Sequence, residues 1–545
     1  MSGTTSPRRQ RTMAFKPDRA FWVVYACLML VMFLAAMDQT IVATALPTIV
    51  GDLGGVNHMA WIITAYTLAM TVAMPVYGKL GDVVGRKNLF LTAIAIFLAG
   101  SALCGTSTSM GALVAFRAIQ GLGGGGLMIS SQAITGDLIP PRVRATYMAP
   151  MGAMWGLAAV LGPVVGGYLT DSISWRWVFW INLPLGLIAW VLVWAVLRLP
   201  KHQREHKIDW AGLTLLDIGA VALVLVATWG GNEFAWMSPQ ILGLIALALI
   251  AWALVPPVEQ RAEDPVLPMA IAKNPTFVVS TLVGVFGVGS LFGINGYLPT
   301  YMQMVYGYSA TVSGLLLVPG AVAMFIGSNA SGVLVAKRGN YKIYPVVGPW
   351  IGALGMYLLS TLTPSTPVIL VCTYIFILNF GVGIYFQLLI LVVQNAMPAR
   401  HLGAVTSLTN FFRQIGVSLF AALIGMSFSG RLTESLGSLF TRLATSDNAQ
   451  IHAALESLNG GAESGAHSLT PALVDAMPEQ IRSGIVASYV SSLTPVLQML
   501  VPVMILASLI AMFFPKVELG HKTGLEQIAE EEAEERAESS AMSQS

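Results

Sequence analysis

Asp38 is the only charged side chain in an apolar run that covers residues 21–49. Burial there disfavours its charged form, and a nearby cation favours it. A carboxyl poised between the two takes a proton from one side of a membrane and gives it up on the other. An ionisable side chain at mid-span costs roughly 2.5–3.5 kcal/mol on insertion scales and usually marks an ion or substrate path. The plainer alternative is a structural carboxylate held in a fixed ion pair. Arg117, in the apolar run 110–136, is the natural partner. Arginine keeps its charge in every setting, so it would hold Asp38 ionised without carrying the proton. It would equally serve as a clamp between two helices, and the two roles are compatible.

A second set of residues suits gating. In Gly78-x-Leu80-x-Asp82-x-x-Gly85-Arg86-Lys87 the glycines permit a tight turn. Asp82 suits accepting from a helix N-terminus or from an arginine across an interface between two halves. Such a charge lock would form in one conformation and break in the other; Arg86 belongs with it, whereas Lys87 reads as a topology signal. Gly162, Gly166 and Gly167 present a small face for close helix approach, and Pro163 removes a backbone donor and bends the chain. Packing is the default for these residues and a hinge is the added reading. Two further acids are secondary candidates for proton movement. Asp217 is also explained by snorkelling to the membrane edge, and Glu233 by an ordinary solvated loop. Arg413, with Asn410 and Gln414, reads either as a tie between halves or as a site residue. Polarisable and aromatic side chains suit varied ligands, which makes Met37, Tyr66, Phe116, Asn295, Tyr385, Gln387 and Phe412 the candidates for a substrate cavity.

Membrane helices must position these groups. Apolar residues make up 55% of the 545 and charged residues only 10%, against roughly 25% charged in soluble domains. A chain so poor in charge could not cover a water-facing surface of its own size. Fourteen runs are long enough to span a bilayer, near 21–49, 57–80, 88–107, 110–136, 145–170, 176–198, 210–230, 238–257, 276–304, 309–336, 342–361, 367–396, 402–429 and 483–514. Lys and Arg gather in alternate loops, at Arg86 and Lys87, Arg142 and Arg144, Lys337 and Arg338, and Arg400. The positive-inside rule then places both termini in the cytoplasm. Cys27, Cys104 and Cys372 lie inside apolar runs, so neither a disulfide framework nor a zinc site is expected. The first run is too long for a signal peptide and is expected to stay uncleaved.

The pattern Gly332-x-Leu334-x-Ala336-x-x-Gly339 repeats the spacing of Gly78–Gly85, with Ala336 where the acid stood. Two parallel halves of six spans follow from that repeat. The expected divisions are a tail at 1–20, an N-terminal half at 21–198, a linker with two extra central helices at 199–257, and a cytoplasmic loop at 258–275. The C-terminal half follows at 276–515, with an outer loop at 430–482 that ends in an amphipathic piece near Met477–Ser488. An acidic cytoplasmic tail is expected at 516–545, and its stretch after Gly524 is expected to be solvated and partly disordered.

Several stretches resemble the major facilitator superfamily, and in particular its fourteen-span drug:proton antiporter group. They are Met37–Pro47, Trp61-x-x-x-Ala65-Tyr66-x-Leu68, the loop Gly78–Lys87, Arg117-Ala118-Ile119-Gln120-Gly121, Gly162–Gly167 and Trp175–Pro184. The resemblance covers nearly all of the chain outside the tails and the long outer loop. It implies an all-α major facilitator fold and a proton-coupled exporter of amphipathic or cationic molecules, in the bacterial cytoplasmic membrane and with a role in antibiotic resistance. Its partners would be small-molecule substrates, protons and membrane lipids, with no cofactor and no nucleic acid, and the unit would be a monomer. An exporter of one endogenous lipid, siderophore or metabolite stays open beside it. A receptor would not need Asp38 with Arg117. An enzyme is disfavoured, because HExxH, GxSxG and Walker A patterns are missing.

Overall fold

A computed structural model describes residues 17–53, 59–199, 209–231, 233–444, 474, 477–516, 518–520, 522–530 and 533. Among the described residues it holds fourteen helices long and apolar enough to cross a membrane. Spans 1 to 7 are Arg19–Leu46, Trp61–Val84, Arg86–Gly105, Met110–Leu138, Pro141–Ser172, Trp177–Val196 and Trp210–Trp229. Spans 8 to 14 are Pro239–Glu259, Pro275–Tyr306, Thr311–Arg338, Ile343–Ser360, Val368–Asn395, Ala399–Leu443 and Glu479–Ala511. Each expected run coincides with one of these.

Local chemistry sets the helix starts. Asp209 Oδ1 accepts from the N–H groups of Ala211 and Gly212 at 3.1 and 2.9 Å at the start of span 7. Ser109 and Ser238 cap spans 4 and 8 in the same way, which satisfies donors that a helix N-terminus leaves unpaired. Pro141, Pro239 and Pro275 occupy first-turn positions, where a missing N–H costs nothing.

Packing inside each half follows one scheme. Span 4 lies against spans 2 and 3, span 5 against span 1, and span 6 against span 3; spans 12, 10, 11, 13, 9 and 14 repeat the scheme in the second half. Lipid tails are as apolar as leucine, so association rests on close fit, and small residues supply it. A Cβ on Gly121 would lie 2.3 Å from the Tyr66 carbonyl oxygen, and one on Gly123 would lie 2.4 Å from the Phe97 nitrogen. The run of glycines in span 4 is thus the surface on which spans 2 and 3 rest. Spans 7 and 8 pack outside, against spans 2 and 13, around Leu213, Leu216, Val255, Leu408 and Phe411. The architecture is two six-helix halves plus two extra helices.

Two expectations need correction. The helix of span 13 runs on to Ala444, so residues 430–444 of the expected outer loop are helical. Leu432, Leu436 and Leu439 form a buried stripe along that extension, and Leu439 meets Gly484 at the start of span 14. The amphipathic piece near Met477–Ser488 is the first part of the continuous helix Glu479–Ala511. The rest of the loop, 445–473, lies outside the described residues. Ahead of the acidic stretch, the tail begins packed. Asn395 Oδ1 accepts from the Gly520 N–H at 2.9 Å, and the Arg142 N–H donates to the Gly520 carbonyl at 3.1 Å. Backbone groups, not the charged side chains, dock the tail across the two halves.

Candidate functional site

Asp38 and Arg117 meet in the middle of the N-terminal half, both fully buried. Arg117 Nη1 donates to Asp38 Oδ2 in an ion pair. The other carboxylate oxygen accepts from Gln120 Nε2 at 2.7 Å and from Asn182 Nδ2 at 3.2 Å. Ser101 Oγ accepts from both amides, at 2.6 and 3.2 Å. Arg117 is held further by the Ile62 carbonyl, by Gln120 Oε1 at 2.7 Å, and by the Tyr66 ring, whose centroid lies 4.2 Å from the guanidinium carbon. Helices 1, 2, 3, 4 and 6 thus converge on one carboxylate. A buried charge pair persists only where its remaining lone pairs and protons are met; here the two amides meet the second carboxylate oxygen, while Asn182 Oδ1 has no hydrogen-bond partner among the described residues. Gln120, Asn182 and Ser101 escaped the sequence reading, although Gln120 stands one turn from Arg117 and Asn182 lies within the Trp175–Pro184 stretch.

The next two residues of span 1 face elsewhere. Gln39 and Thr40 line a cavity of about 740 Å³ between the halves, formed by spans 1 and 5 on one side and spans 9, 10 and 12 on the other. Its polar surface comes from hydroxyls and amides, among them Thr44, Thr170, Asn295, Gln303 and Asn379, and its apolar surface from Trp155, Phe292 and Met324. Asp171 is its single carboxylate, and exposed, near the end of span 5 away from the basic loops. Pro163 lines the cavity too, whereas Gly162 and Gly166 seat span 5 on span 1. Their Cβ positions would fall 2.1 Å from Thr40 Oγ1 and 2.3 Å from Thr44 Oγ1. Asn295 reaches the cavity because span 9 is interrupted there, between Gly289–Ile294 and Tyr297–Tyr306.

At the basic end the halves are shut. The N–H groups of Gly403 and Ala404, at the start of the span 13 helix, donate to the Asp82 carboxylate at 3.1 and 2.9 Å. Arg86 donates to Asp82 at 2.7 Å and pairs also with Asp137 on span 4. Gly78 lets the two helices approach, since a Cβ there would lie 2.0 Å from Ser407 Oγ. The repeat in the second half makes the mirror contact, with Gly332 packed on the Ala145 carbonyl at the start of span 5. Ala336 leaves that seam without an acid. Polar ties between the halves lie beside it: Arg144 Nη1 of span 5 donates to Gln394 Oε1 of span 12 at 3.1 Å, and Asn410 Nδ2 of span 13 donates to Gln132 Oε1 of span 4 at 2.7 Å. Both φ angles that the loops require are positive, +99° at Gly85 and +71° at Gly339, a region that L side chains rarely occupy.

Of the expected cavity residues, Asn295 alone lines it in this conformation. Met37 and Tyr66 are buried inside the first half, Phe116 packs against the same core, and Tyr385 is buried beside Gly287 and Gly348. Phe412 meets Phe277 and Phe411 edge to face near spans 7 and 8. Gln387 sits at the interruption of span 12, over Gly152 of span 5, with both amide atoms lacking partners. Glu233 is exposed in the turn between spans 7 and 8, and Asp217 lines a separate cleft beside span 2. Arg413 stacks on Phe386, bonds to Asn410, and has a free Nη1.

Comparison with known proteins agrees with this architecture. The sequence model of the Major Facilitator Superfamily matches residues 28–421. The chain is 36% identical over 521 residues to the multidrug transporter protein MdtP of Bacillus subtilis, covering 94% of this chain and 96% of that protein. It is 37% identical over 416 residues to Multidrug resistance protein 3 of the same organism, covering 76% of this chain and 81% of that protein. Among solved structures, the proton:xylose symporter XylE superposes with a TM-score of 0.58 at 14% identity, over 93% of this chain and 98% of that one. That likeness is one of fold.

Proposed function

The chain belongs to the Major Facilitator Superfamily, a family of transporters rather than enzymes, and on that premise we propose that it is a proton-coupled multidrug efflux transporter. It exports amphipathic or cationic small molecules by alternating access, as a monomer in the bacterial cytoplasmic membrane with both termini inside. One observation carries the reading: Asp38, whose carboxylate forms the buried ion pair with Arg117, sits on the same helix as Gln39 and Thr40, which line the central cavity. Substrate in the cavity touches span 1 one residue from the carboxylate. Substrate and proton then meet through a movement of span 1 instead of direct competition, because Asp38 has no exposure to the cavity in this conformation. The cavity opens away from the basic loops, so the conformation is outward-facing. Asp82, Arg144 and Gln132 hold the cytoplasmic side closed. Asp171 at the mouth attracts cations and the neutral amides and hydroxyls below it accept varied polar groups. The similarity to two multidrug proteins supports breadth of substrate.

The test is purified protein in liposomes with an imposed pH gradient and a panel of cationic, neutral and lipid-like solutes. Uphill movement of several cationic solutes, with proton flux in the opposite direction, is expected. Transport that ignores the pH gradient would remove the proton from the mechanism, and movement of one lipid alone would make the protein a dedicated exporter.

A further inference from the structure

Asp217 faces a cleft in which the described residues offer it no cation. It is the eighth residue of span 7, about 10 Å along the axis from Trp210 at ~1.5 Å per residue, which is well inside the bilayer. Its Oδ1 atom is shielded and has no hydrogen-bond partner, and no salt bridge reaches it among the described residues. The cleft measures about 330 Å³ and is walled by Val72 of span 2, Val221 and Leu225 of span 7, and Leu244 and Leu247 of span 8. Thr214 is the one other polar side chain on its wall, and its hydroxyl is already bonded to the Trp210 carbonyl at 2.7 Å. Around it spans 7 and 8 expose Ile218, Leu242, Leu249 and Ile250, the surface that meets lipid. The cleft shares no residue with the central cavity.

The chemistry of these walls narrows the ligand. An inorganic cation needs several oxygen ligands, and the cleft supplies one carboxylate. An anionic headgroup would be repelled. An ionisable group kept inside a span at a cost in insertion faces a partner or a functional ligand. An organic cation with an apolar body satisfies both parts of the site: branched aliphatic walls take the body, and the carboxylate takes a charge that has no hydrogen-bond donors to satisfy. We propose that Asp217 and the cleft between spans 2, 7 and 8 form a lateral binding site for amphipathic organic cations, entered from the lipid and separate from the central cavity. The inference concerns binding and stands whether or not the protein couples transport to protons.

The experiment measures saturable binding of radiolabelled dodecyltrimethylammonium to the purified full chain in phosphatidylcholine nanodiscs, with empty discs subtracted. Dodecyldimethylamine oxide, a net-neutral amphipath of similar shape, is the control ligand. Asp217→Asn, which keeps the shape of the side chain, is expected to weaken the trimethylammonium compound at least tenfold and to leave the amine oxide unchanged. Leu244→Trp, which fills the cleft and keeps the carboxylate, should do the same to the cation. Asp171→Asn, in the central cavity, should leave in place the component that Asp217→Asn and Leu244→Trp weaken. Equal affinity in wild type and Asp217→Asn would overturn the proposal. So would a loss confined to Asp171→Asn, which would put the cation in the central cavity. No saturable component in wild type would also overturn it, and would leave Asp217 as a carboxyl that only a proton neutralises.

Discussion

Asp82→Asn isolates the charge of the lock from its shape. Asparagine caps a helix about as well as aspartate but has one acceptor oxygen, so one of the two hydrogen bonds from the Gly403 and Ala404 N–H groups survives. The Arg86 pair lies within one half, so its loss bears less on the balance between the closed and open basic ends. What disappears from the closed state alone is the second of these bonds, together with the attraction between a carboxylate and the N-terminus of the span 13 helix. That attraction is worth ~0.3–1 kcal/mol at exposed positions and up to ~2 kcal/mol when partly buried. Asp82 is 9% exposed, which puts it in the upper part of the range. A change of about 1–2 kcal/mol moves the equilibrium between closed and open basic ends by about 5- to 30-fold. Asp82→Ala removes the cap too and should add about 1 kcal/mol. Spin labels at Asn88 and Arg400, both exposed and in opposite halves, report the separation of the basic ends by pulsed electron resonance. The three native cysteines are buried and leave little background. A longer-distance population should grow in the order wild type, Asp82→Asn, Asp82→Ala, and transport should slow as it grows. Identical distance distributions in all three proteins would refute the lock and reduce the loop to a topology signal.

Asp38→Asn is expected to abolish transport driven by a pH gradient. It turns an amide donor toward Arg117, and breaking a buried pair by removing one partner costs about 3–5 kcal/mol. A lower melting temperature in detergent should accompany the loss, and gradient-driven transport at wild-type rate would move the proton path elsewhere. Gly162→Val drives a branched side chain into Thr40 and should destabilise the protein by about 1–3 kcal/mol, read as thermal unfolding; a neutral effect would show that spans 1 and 5 part readily. Truncation after Pro515 removes the Gly520 contacts to Asn395 and Arg142, and the Asn88–Arg400 label pair should again shift toward the open basic end. Reporter tags at Lys201 and Lys522 should be cytoplasmic and a tag at Gly460 external; a cytoplasmic Gly460 would overturn the orientation.

Much was legible in the sequence because the bilayer imposes it. Run length marks each span, since about 20 apolar residues are needed to cross, and clustered Lys and Arg order the loops. Asp38 and Arg117 stood out because a charge inside a span must find a partner, and each had few to choose from. Asp82 was readable as an acceptor for a helix N-terminus from the turn that carries it, but which helix it caps came only from the seam with span 13. The cavity was not legible. Soluble helices show an apolar stripe toward the core, whereas a membrane helix is apolar on every side, so periodicity does not tell the lipid face from the lumen. Successive residues turn by about 100°; Met37 and Asp38 therefore point into the first half while Gln39 and Thr40 point into the cavity. Reading ligand chemistry from side-chain type favoured Met37, Tyr66 and Tyr385, which are packed inside the halves in this conformation. The side chains that line the cavity were settled by where glycines let helices close up, at Gly162 and Gly166 against span 1 and at Gly78 and Gly332 across the seams. That is a matter of three-dimensional fit between elements far apart in the chain, and only the tertiary structure decides it.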